Sequence, residues 1–377
     1  MRVGGFHLTY CSNIHAGESW TEVRTALGGV LPQVRAELGV SGPLAIGLRL
    51  SAVAGEALAH PSALVEFQQF LATNQHYVFT INGFPYGAFH GQRVKERVYL
   101  PDWRDARRVA YSNQLASILA ALLPEEIPAG SVSTVPGAFK AHLSGPADVE
   151  AVARGIREHA RHLRDLRDRT GRVIRLALEP EPACLLETVD ETCDFFDRYL
   201  GDAGVRDYVG VCVDTCHLAV AYEDPADVLN RFVDAGITIA KVQISSALEV
   251  PGDGAADAID ALRAFADDTY LHQVVTRSVG DLTRFADLPD ALVHADARAR
   301  DEWRVHFHVP LFLERLGALR TTQPFVQAFI RALRARPVCD QLEVETYTWD
   351  VLPEEHRGVD VATAIARELA WVREQLA

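Results

Sequence analysis

Several features that mark common protein classes are missing from this 377-residue chain. No apolar run approaches the roughly 20 residues that a membrane-spanning helix needs, so membrane insertion is not expected. The net charge of −14 argues against nucleic acid as the main partner, because proteins that bind a phosphate backbone carry a basic face. The chain also lacks a Walker A loop, a dinucleotide-binding G-x-G-x-x-G after a strand, and a G-x-S-x-G elbow. Phosphate-binding loops and nicotinamide chemistry are therefore unsupported.

Cysteine is scarce and scattered, with six residues in the whole chain. Cys212 and Cys216 have no second pair at zinc-site spacing, so a structural zinc is not expected there. Nothing at the N-terminus has the pattern of a signal peptide. We interpret the cysteines as reduced thiols and predict a cytoplasmic protein.

Short apolar runs alternate along the chain with longer amphipathic segments. The predicted strands are Gly5–Cys11, Leu44–Ser51, Tyr77–Gly83, Ser131–Pro136, Ile174–Glu181, Val209–Asp214, Ile237–Ser245 and Leu342–Tyr347. The predicted helices are Trp20–Leu38, Ser62–Asn74, Arg104–Leu123, Ala147–Arg169, Glu187–Leu200, Pro225–Ala235, Phe325–Arg334 and Val361–Leu376. Eight strands, each followed by a helix, predict a (β/α)8 TIM barrel with its site at the carboxyl ends of the strands.

The chain is longer than such a barrel requires, since about 250 residues are usually enough. Much of the excess lies between the seventh and eighth predicted strands, at about residues 246–320, where Trp303–Leu311 is a further strand-like run. No Gly/Ser linker, low-complexity tract or internal repeat divides the sequence. We therefore predict a single domain, residues 1–377, with an elaborated insertion.

Oxygen-bearing side chains end four successive strands of the predicted barrel. In the sixth strand Gly210, Cys212 and Asp214 share the face opposite three valines, so Asp214 points inward at the strand's end. The same alternation points Glu179, Gln243 and Glu345 inward on the fifth, seventh and eighth strands. Three carboxylates brought together cannot all stay ionised without a cation. The set suits Mn²⁺ or Mg²⁺, and a nearby histidine would also admit Co²⁺, Fe²⁺ or Zn²⁺. The alternative is that these acids lie solvated on the rim or pair with arginines.

The motifs LALEPEP, VDTCH, KVQIS and LEVETY resemble those of the xylose-isomerase-like barrel superfamily, which includes sugar isomerases and epimerases and the type-two apurinic endonucleases. The resemblance implies that Glu179, Asp214, Gln243 and Glu345 hold one divalent metal. It also implies that His217 contacts the substrate or supports a ligand. Gln243 matches the branch that has glutamine where many epimerases have histidine.

A second resemblance covers nearly the whole chain. The stretches HLTYCSNIHAGESW, INGFPYGAFHG, VKERVYLPDW, SVSTVPGAFK, YLHQVV and VHFHVP resemble those of the eboE-type metabolite traffic proteins. That family is associated with gene clusters that process or export small metabolites. The resemblance therefore implies a small-molecule partner, and it leaves the reaction open.

Catalytic roles follow from the predicted strand faces. Glu179 and Glu345 could both hold the metal and move a proton as an acid/base pair, while Glu181 could contact the substrate. Lys241 and Glu343 face inward one layer below, and a buried pair of opposite charges can stay ionised. We predict that this pair supports Glu345 or Gln243 from beneath; a strand register shifted by one residue is the alternative.

Several other residues are candidates for substrate or metal binding. His7 and His90 come near the first and third strands, and His272 lies in YLHQ. Arg49 and Asn82 would face the pocket and could bind hydroxyls or a carboxylate. His306 and His308 share one face of the inserted strand, where they could bind substrate (His308) or form a second metal site. A lone histidine is more often a packed core residue than a ligand, so that alternative stays open for each.

The leading hypothesis is a metal-dependent isomerase or epimerase that acts on a small polyhydroxylated or carbonyl metabolite. A metabolite-binding protein that keeps the pocket without turnover is the second hypothesis. A metal-dependent phosphoester hydrolase acting on DNA is the third, and the negative net charge disfavours it.

Overall fold

The computed structural model describes residues 1–88, 93–252, 256–350, 352 and 360–377. Its strands, in chain order, are β1 (Arg2–Val3), β2 (Phe6–Tyr10), β3 (Leu44–Arg49), β4 (His76–Asn82), β5 (Ala129–Thr134), β6 (Val173–Leu178), β7 (Val209–Asp214), β8 (Ile239–Ile244), β9 (Ser246–Val250), β10 (Val274–Arg277), β11 (Leu282–Phe285), β12 (Glu302–Val309), β13 (Arg315–Leu316), β14 (Leu319–Thr321) and β15 (Gln341–Val344). Its helices are α1 (Trp20–Leu38), α2 (Ala52–Leu58), α3 (Pro61–Thr73), α4 (Ala106–Leu122), α5 (Pro146–Thr170), α6 (Val189–Tyr199), α7 (Ala203–Arg206), α8 (Thr215–Val220), α9 (Pro225–Asp234), α10 (Ala256–Leu262), α11 (Leu288–Leu292), α12 (Gln323–Ala335) and α13 (Val361–Leu376).

Eight parallel strands form the barrel, in the order β2-β15-β8-β7-β6-β5-β4-β3, and β1 adds a short antiparallel pair to β2. The first and last strands of this order meet through a parallel bridge between Cys11 and Gly47. Beside it, Thr9 Oγ1 donates to the carbonyl oxygen of Ala45 at 2.9 Å. These contacts close the sheet, which confirms the predicted (β/α)8 barrel.

Local signals in the sequence set the helix ends. Helix α1 begins after Ser19, whose hydroxyl accepts from the backbone N–H of Glu22 while the Glu22 carboxylate accepts from the Ser19 backbone N–H. This reciprocal cap satisfies two N–H groups that the helix cannot pair internally. The helix ends at Gly39, which has φ of 61°, a conformation that favours glycine.

The insertion between β8 and β15 forms a second sheet. Its six antiparallel strands have the order β11-β10-β12-β9-β14-β13. Strand β9 starts at Ser246, directly after the barrel strand β8 and a single linking residue, Ser245. The second sheet therefore grows out of the carboxyl end of the barrel, where the predicted site lies.

The inward faces of the barrel strands are mostly as predicted. Ala177 and Cys212 pack together inside the barrel, apart from the main hydrophobic cluster that contains Val211 and Val213. The pairing of β7 with β8 shifts by one residue, so that Ala240 joins the inner group and Ile239 joins the main cluster. Ile239 therefore does not share a face with Lys241, because a bulge interrupts the alternation.

A glycine allows the barrel interior to hold a bulky acid. A Cβ on Gly47 would lie 1.8 Å from Glu343 Oε1 and 2.5 Å from the carbonyl oxygen of Tyr10. Real Cβ atoms do not approach other atoms so closely, so β3 needs glycine at this position for β15 to carry Glu343 inward.

The observed elements agree with the predicted pattern in the barrel and differ in the insertion. All eight barrel strands and all eight predicted helices are present, and the run Trp303–Leu311 is β12. Among the described residues, five further strands of the second sheet and five short α-helices were not predicted. All six cysteines are free thiols. Within the described residues, no helix has both the length and the apolar character needed to cross a bilayer.

Candidate metal centre

Asp214 ends β7 and caps the helix that follows. Its Oδ1 atom accepts hydrogen bonds from the backbone N–H groups of Cys216 (2.7 Å) and His217 (3.0 Å) and from Ser245 Oγ (2.6 Å). Its Oδ2 atom is buried and has no hydrogen-bond partner among the described residues. The cap thus fixes the carboxylate and leaves one oxygen free to bind something else.

Glu179 and Glu345 converge on the same place as Asp214. One carboxylate oxygen from each of the three residues lies within 4.8 Å of the others, and all three residues are buried. Glu345 Oε1 accepts from Asn13 Nδ2 at 2.7 Å and from Asn82 Nδ2 at 2.9 Å. The two amides hold this carboxylate in a fixed orientation.

The electrostatics of the three carboxylates are unfavourable as they stand. Burial and the Glu345 and Asp214 carboxylates raise the pKa of Glu179 well above its ordinary value, and burial and Asp214 do the same to the pKa of Glu345. Burial alone would also raise the pKa of Asp214, but the imidazoles of His217 and His308 and the hydrogen bond from Ser245 bring it below its ordinary value. A divalent cation among these oxygens would remove the repulsion.

Gln243 adds a fourth group on the adjacent strand. It pairs in register with Asp214 on one side and with Glu343 on the other. Its side chain is fully buried, and neither its amide oxygen nor its amide nitrogen has a hydrogen-bond partner among the described residues. A buried amide without a partner is costly, so this residue and Asp214 Oδ2 both fit a bound cation.

The predicted ion pair lies beneath these groups. Lys241 Nζ lies 2.6 Å from Glu343 Oε2, with both side chains fully buried, and 3.3 Å from Ser133 Oγ. Burial alone would lower the pKa of Lys241, but the adjacent Glu343 carboxylate outweighs that effect and raises the pKa above its ordinary value. The lysine therefore stays charged inside the barrel.

Three histidines meet beside the carboxylates. His217 lies on α8, and His306 and His308 lie on β12. His306 Nε2 is 3.2 Å from His217 Nε2 and 3.1 Å from His308 Nε2. Burial lowers the pKa of His306 well below its ordinary value and that of His308 to about 4. Burial therefore favours the neutral form of both rings.

A β-bulge brings two of these histidines to the site. The pairing of β12 with β9 is regular from Trp303 to Val305 and resumes only at Val309. Between those points His306 and His308 point to one side, while Phe307 stacks on the ring of His272 with a centroid distance of 4.5 Å. Such bulges commonly redirect side chains next to a functional site.

A cavity lies above these groups, with polar residues on one side and apolar residues on the other. Glu181 lies on the polar side, where its Oε1 accepts from Tyr99 Oη at 2.6 Å and from Gln273 Nε2 at 3.4 Å. Burial raises the pKa of Glu181. The apolar side is formed by Phe84, Pro85, Val94, Val98, Tyr270 and Leu271.

Four residues predicted to bind substrate lie elsewhere or outside the described chain. His7 lies at the amino end of β2, where its Nδ1 contacts Tyr77 Oη at 3.0 Å, so it faces the opposite end of the barrel. Arg49 pairs with Glu18 at 3.1 Å and does not line the cavity. His272 uses both nitrogens, on the carbonyl oxygen of His306 and on Asp267, and braces the second sheet. His90 lies outside the described residues.

Asn82, by contrast, does line the cavity, although its amide is engaged by Glu345. Three further residues of the site carry no strong signal in the sequence: Asn13, Tyr99 and Gln273. Asn13 follows β2 in a short 3-10 helix, Ser12–Ile14, and the other two meet Glu181 only through tertiary contacts. For Asn13 the available signal was its position just past the end of a barrel strand.

Comparisons with known proteins rest on structure alone. No protein-family model matches the chain, and no curated protein sequence matches it. A xylose isomerase-like TIM barrel protein from Mycobacterium smegmatis, solved in complex with magnesium, matches with a TM-score of 0.55 at 14% identity, covering 100% of this chain and 98% of that one. A D-psicose 3-epimerase solved in the presence of D-fructose matches with a TM-score of 0.52 at 15% identity, covering 98% and 99%.

A probable 3-DHS dehydratase, AsbF from Bacillus anthracis, is also similar, with a TM-score of 0.51 at 12% identity over 97% of this chain and 98% of its own. These neighbours differ in the names of their activities and share one architecture. The chain therefore has the xylose-isomerase-like TIM-barrel fold.

Proposed function

We propose that this protein is a divalent-metal-dependent enzyme that isomerises or epimerises a small polyhydroxylated or carbonyl metabolite. One observation carries the proposal: three carboxylate oxygens lie within 4.8 Å of one another inside a buried site. Such a group is stable only with a cation or with extra protons. The sugar epimerases among the structural neighbours support the reaction class.

Glu179, Asp214, Gln243 and Glu345 would hold the cation, through Asp214 Oδ2 and the partnerless Gln243 amide among other atoms. Oxygen ligands of this kind suit Mn²⁺ or Mg²⁺. When bound, such an ion polarises a carbonyl and an adjacent hydroxyl, which acidifies the neighbouring C–H group. Lys241 and Glu343 would keep this part of the barrel rigid from beneath.

The acidic residues that face the cavity would transfer the proton in the proposed reaction. Glu179 and Glu345 would form the acid/base pair, and Asn13 and Asn82 would fix Glu345 by occupying Oε1. Glu181, held by Tyr99 Oη, has a raised pKa and would bind a substrate hydroxyl or exchange a proton with it. His217 would bind an oxygen at the far side of the same cavity.

The cavity limits what can enter. The described residues leave a cavity of about 50 Å³, several times the roughly 10–15 Å³ that one water molecule needs by the same measure. That space suits the reacting end of a metabolite, so the remainder of a longer substrate would lie along the apolar side.

The experiment follows deuterium uptake from D₂O into a panel of ketoses and other hydroxycarbonyl compounds by proton NMR, with Mn²⁺ or Mg²⁺ added to chelator-treated protein. The wild-type chain should catalyse exchange at the carbon next to the carbonyl. Glu345→Gln should lose it, and Glu158→Gln, on the distant helix α5, should keep it. A chain that retains no divalent ion would contradict the proposal.

The same assay separates the metabolite-binding alternative. A ligand that raises the melting temperature without deuterium uptake or product would favour a carrier of the kind that the eboE-type resemblance suggests. The eboE-type family assignment belongs to this alternative and not to the leading proposal.

The histidine group favours one further candidate, metal-dependent phosphoester hydrolysis. Imidazoles beside carboxylates are typical of hydrolytic sites with more than one metal ion. The net charge of −14 makes a small phosphate ester a better substrate than DNA. Release of phosphate or nitrophenol from nitrophenyl phosphate esters, without deuterium uptake by the carbonyl panel, would favour this candidate.

A further inference from the structure

A second cavity lies at the amino end of the barrel, opposite the candidate metal centre. Its volume is about 570 Å³, whereas that of the cavity above the carboxylates is about 50 Å³. The first residues of β2 and β4 contribute His7, His76 and Tyr77 to its wall. Small-molecule pockets commonly have volumes of about 300–1,000 Å³, so this amino-end cavity has the size of a ligand site.

Arg35 on α1 holds the wall of the amino-end cavity in place. Its guanidinium donates to the carbonyl oxygen of Gly42 at 2.6 Å and to that of Gln75 at 3.1 Å. Gly42 and Gln75 both line the cavity, and they precede β3 and β4 respectively. One side chain thus fastens two segments of the wall, so the cavity is a fixed feature of the fold.

A buried imidazole offers a hydrogen-bond acceptor in this cavity. His76 is 8% exposed, and its Nδ1 lies 3.3 Å from the carbonyl oxygen of Leu44. A carbonyl oxygen only accepts, so Nδ1 donates the hydrogen. Burial and the Arg35 guanidinium lower the pKa of His76 to about 4, which favours the neutral ring. Nε2 then carries a lone pair, and it has no hydrogen-bond partner among the described residues.

A second imidazole in the same wall forms a pair with a phenol. His7 Nδ1 and Tyr77 Oη are 3.0 Å apart, and the two rings meet edge to face with their centroids 5.7 Å apart. His7 is 5% exposed, and burial lowers its pKa, which favours the neutral form. Its Nε2 has no partner within the parts of the chain that the structure describes. Two imidazoles, each more than nine-tenths buried, therefore bring unused nitrogens to one cavity.

The remainder of the lining decides which ligands fit. Apolar side chains form most of it: Val40, Pro43, Leu71, Ala72, Pro124 and Ile127. The charged residues that line it are Arg2 and Glu126, which are exposed and opposite in sign. The lining therefore has no net charge with which to hold an ion. The rings of His7, Tyr77 and His76 favour contact with another aromatic ring.

We propose that the amino-end cavity binds an uncharged aromatic compound that carries an N–H or hydroxyl group, of the indole or phenol class. The N–H or O–H group of the ligand donates to His76 Nε2. Its ring system lies against the apolar side chains and against the rings of His7 and Tyr77.

The inference does not rest on the proposed function, because the two sites lie at opposite ends of the barrel. His7 pairs in register with Gln341, the first residue of β15, whereas Glu345 follows the last residue of that strand. The buried pair of Lys241 and Glu343 lies beneath the metal centre, on the side toward the amino-end cavity. Among the described residues, no member of the carboxylate group lines this cavity.

The test compares indole with 1-methylindole, in which a methyl group replaces the N–H hydrogen. Wild-type protein is titrated with each compound by calorimetry. Indole should bind saturably at one site per chain. 1-Methylindole should bind roughly two- to tenfold more weakly, because it cannot form the hydrogen bond to His76 Nε2. This comparison needs no substitution, so misfolding cannot obscure it.

Two substitutions then locate the bound compound. His76→Phe keeps a ring and removes Nε2, so it should bind indole and 1-methylindole with equal affinity. Ala72→Phe adds a bulky side chain from the exposed surface of α3 and should abolish binding of both compounds. Ala57→Phe, exposed on α2 and outside the cavity, is the matched control and should bind both as wild type does.

Three outcomes would overturn the proposal. Absence of saturable binding of indole to wild type would exclude a site for this class of compound. Equal affinity of wild type for indole and 1-methylindole would exclude His76 Nε2 as the recognising atom. Unchanged binding to Ala72→Phe would place the compounds elsewhere on the protein. Ala72→Phe should retain Mn²⁺ and deuterium exchange as wild type does, so failure of this site and failure of the proposed function can be told apart.

Discussion

Lys241 Nζ and Glu343 Oε2 are 2.6 Å apart inside the barrel, and neither side chain is exposed to solvent. Removing one member of such a pair leaves an uncompensated buried charge, which typically costs about 3–5 kcal/mol. We expect Lys241→Met to lower the free energy of unfolding, measured in urea, by about that amount. The Lys241→Met/Glu343→Leu double variant should recover most of the loss, because no buried charge remains.

The same variant tests whether the pair supports the carboxylate group above it. We expect Lys241→Met to reduce the metal content of the purified protein; full occupancy with unchanged stability would rule out a supporting role. Arg198→Met is the control, since its ion pair with Asp194 is largely exposed and should contribute less than about 1 kcal/mol.

Gly47 should not tolerate a side chain. An added Cβ would lie 1.8 Å from Glu343 Oε1 and 2.5 Å from a backbone oxygen of β2's last residue, so β3 and β2 would have to separate. We expect Gly47→Ala to lower the melting temperature strongly. Gly29→Ala is a matched control within helix α1, where a Cβ meets no atom within 4 Å. That control should stabilise the protein by up to about 1 kcal/mol, and equal effects of the two substitutions would contradict the packing argument.

Glu368 should make stability depend on pH. This α13 residue accepts from Thr346 Oγ1 and from the Leu311 backbone N–H, and burial raises its pKa to about 7. A carboxyl whose pKa is higher in the folded than in the unfolded chain stabilises the fold at low pH. That contribution is complete below about pH 4.3 and is lost as the pH rises through 7.

Glu368→Gln has no such titration. We therefore expect the free energy of unfolding of Glu368→Gln, relative to that of wild type, to rise from pH 5 to pH 8 by at most about 3 kcal/mol. Urea unfolding at both pH values measures the difference. Glu374→Gln on the same helix should show no such gain, and a parallel pH profile for wild type and Glu368→Gln would contradict the assignment.

Asn13 should influence metal binding without binding the metal itself. Its amide occupies Glu345 Oε1, and loss of such an orienting hydrogen bond commonly weakens metal affinity 10- to 100-fold. We expect Asn13→Ala to weaken Mn²⁺ binding within roughly this range in calorimetric titrations. Asn74→Ala, at the exposed end of α3, should bind Mn²⁺ as wild type does.

The barrel could be predicted because its signals are local. Strand β7 was predicted residue for residue, since three valines alternate with small residues and an acid ends the run. The inward parity of Glu179, Asp214, Gln243 and Glu345 follows from the same alternation. The alternation gave the wrong face for Ile239, because a bulge inserts one residue there and nothing in the sequence marks it.

The second sheet could not be predicted, because most of its strands are only two to five residues long. Their pairing is set by contacts with β12 and with the barrel rather than by their own pattern. Spacing alone suggested His306 and His308, but not that His217 would meet them. His7 was misplaced because β2 begins next to it, which puts its side chain at the amino end of the barrel.

The bond between Asn13 and Glu345 joins residues 332 positions apart in the chain. Loops of this length are closed slowly, since ordering entropy must be overcome before the contact forms. While the chain is being synthesised, and before β15 has left the ribosome, it lacks both the last strand of the barrel and Glu345, the partner of Asn13. The centre can therefore assemble only after the chain has left the ribosome as far as Glu345, and until then Glu179 and Asp214 lack the third carboxylate of the group.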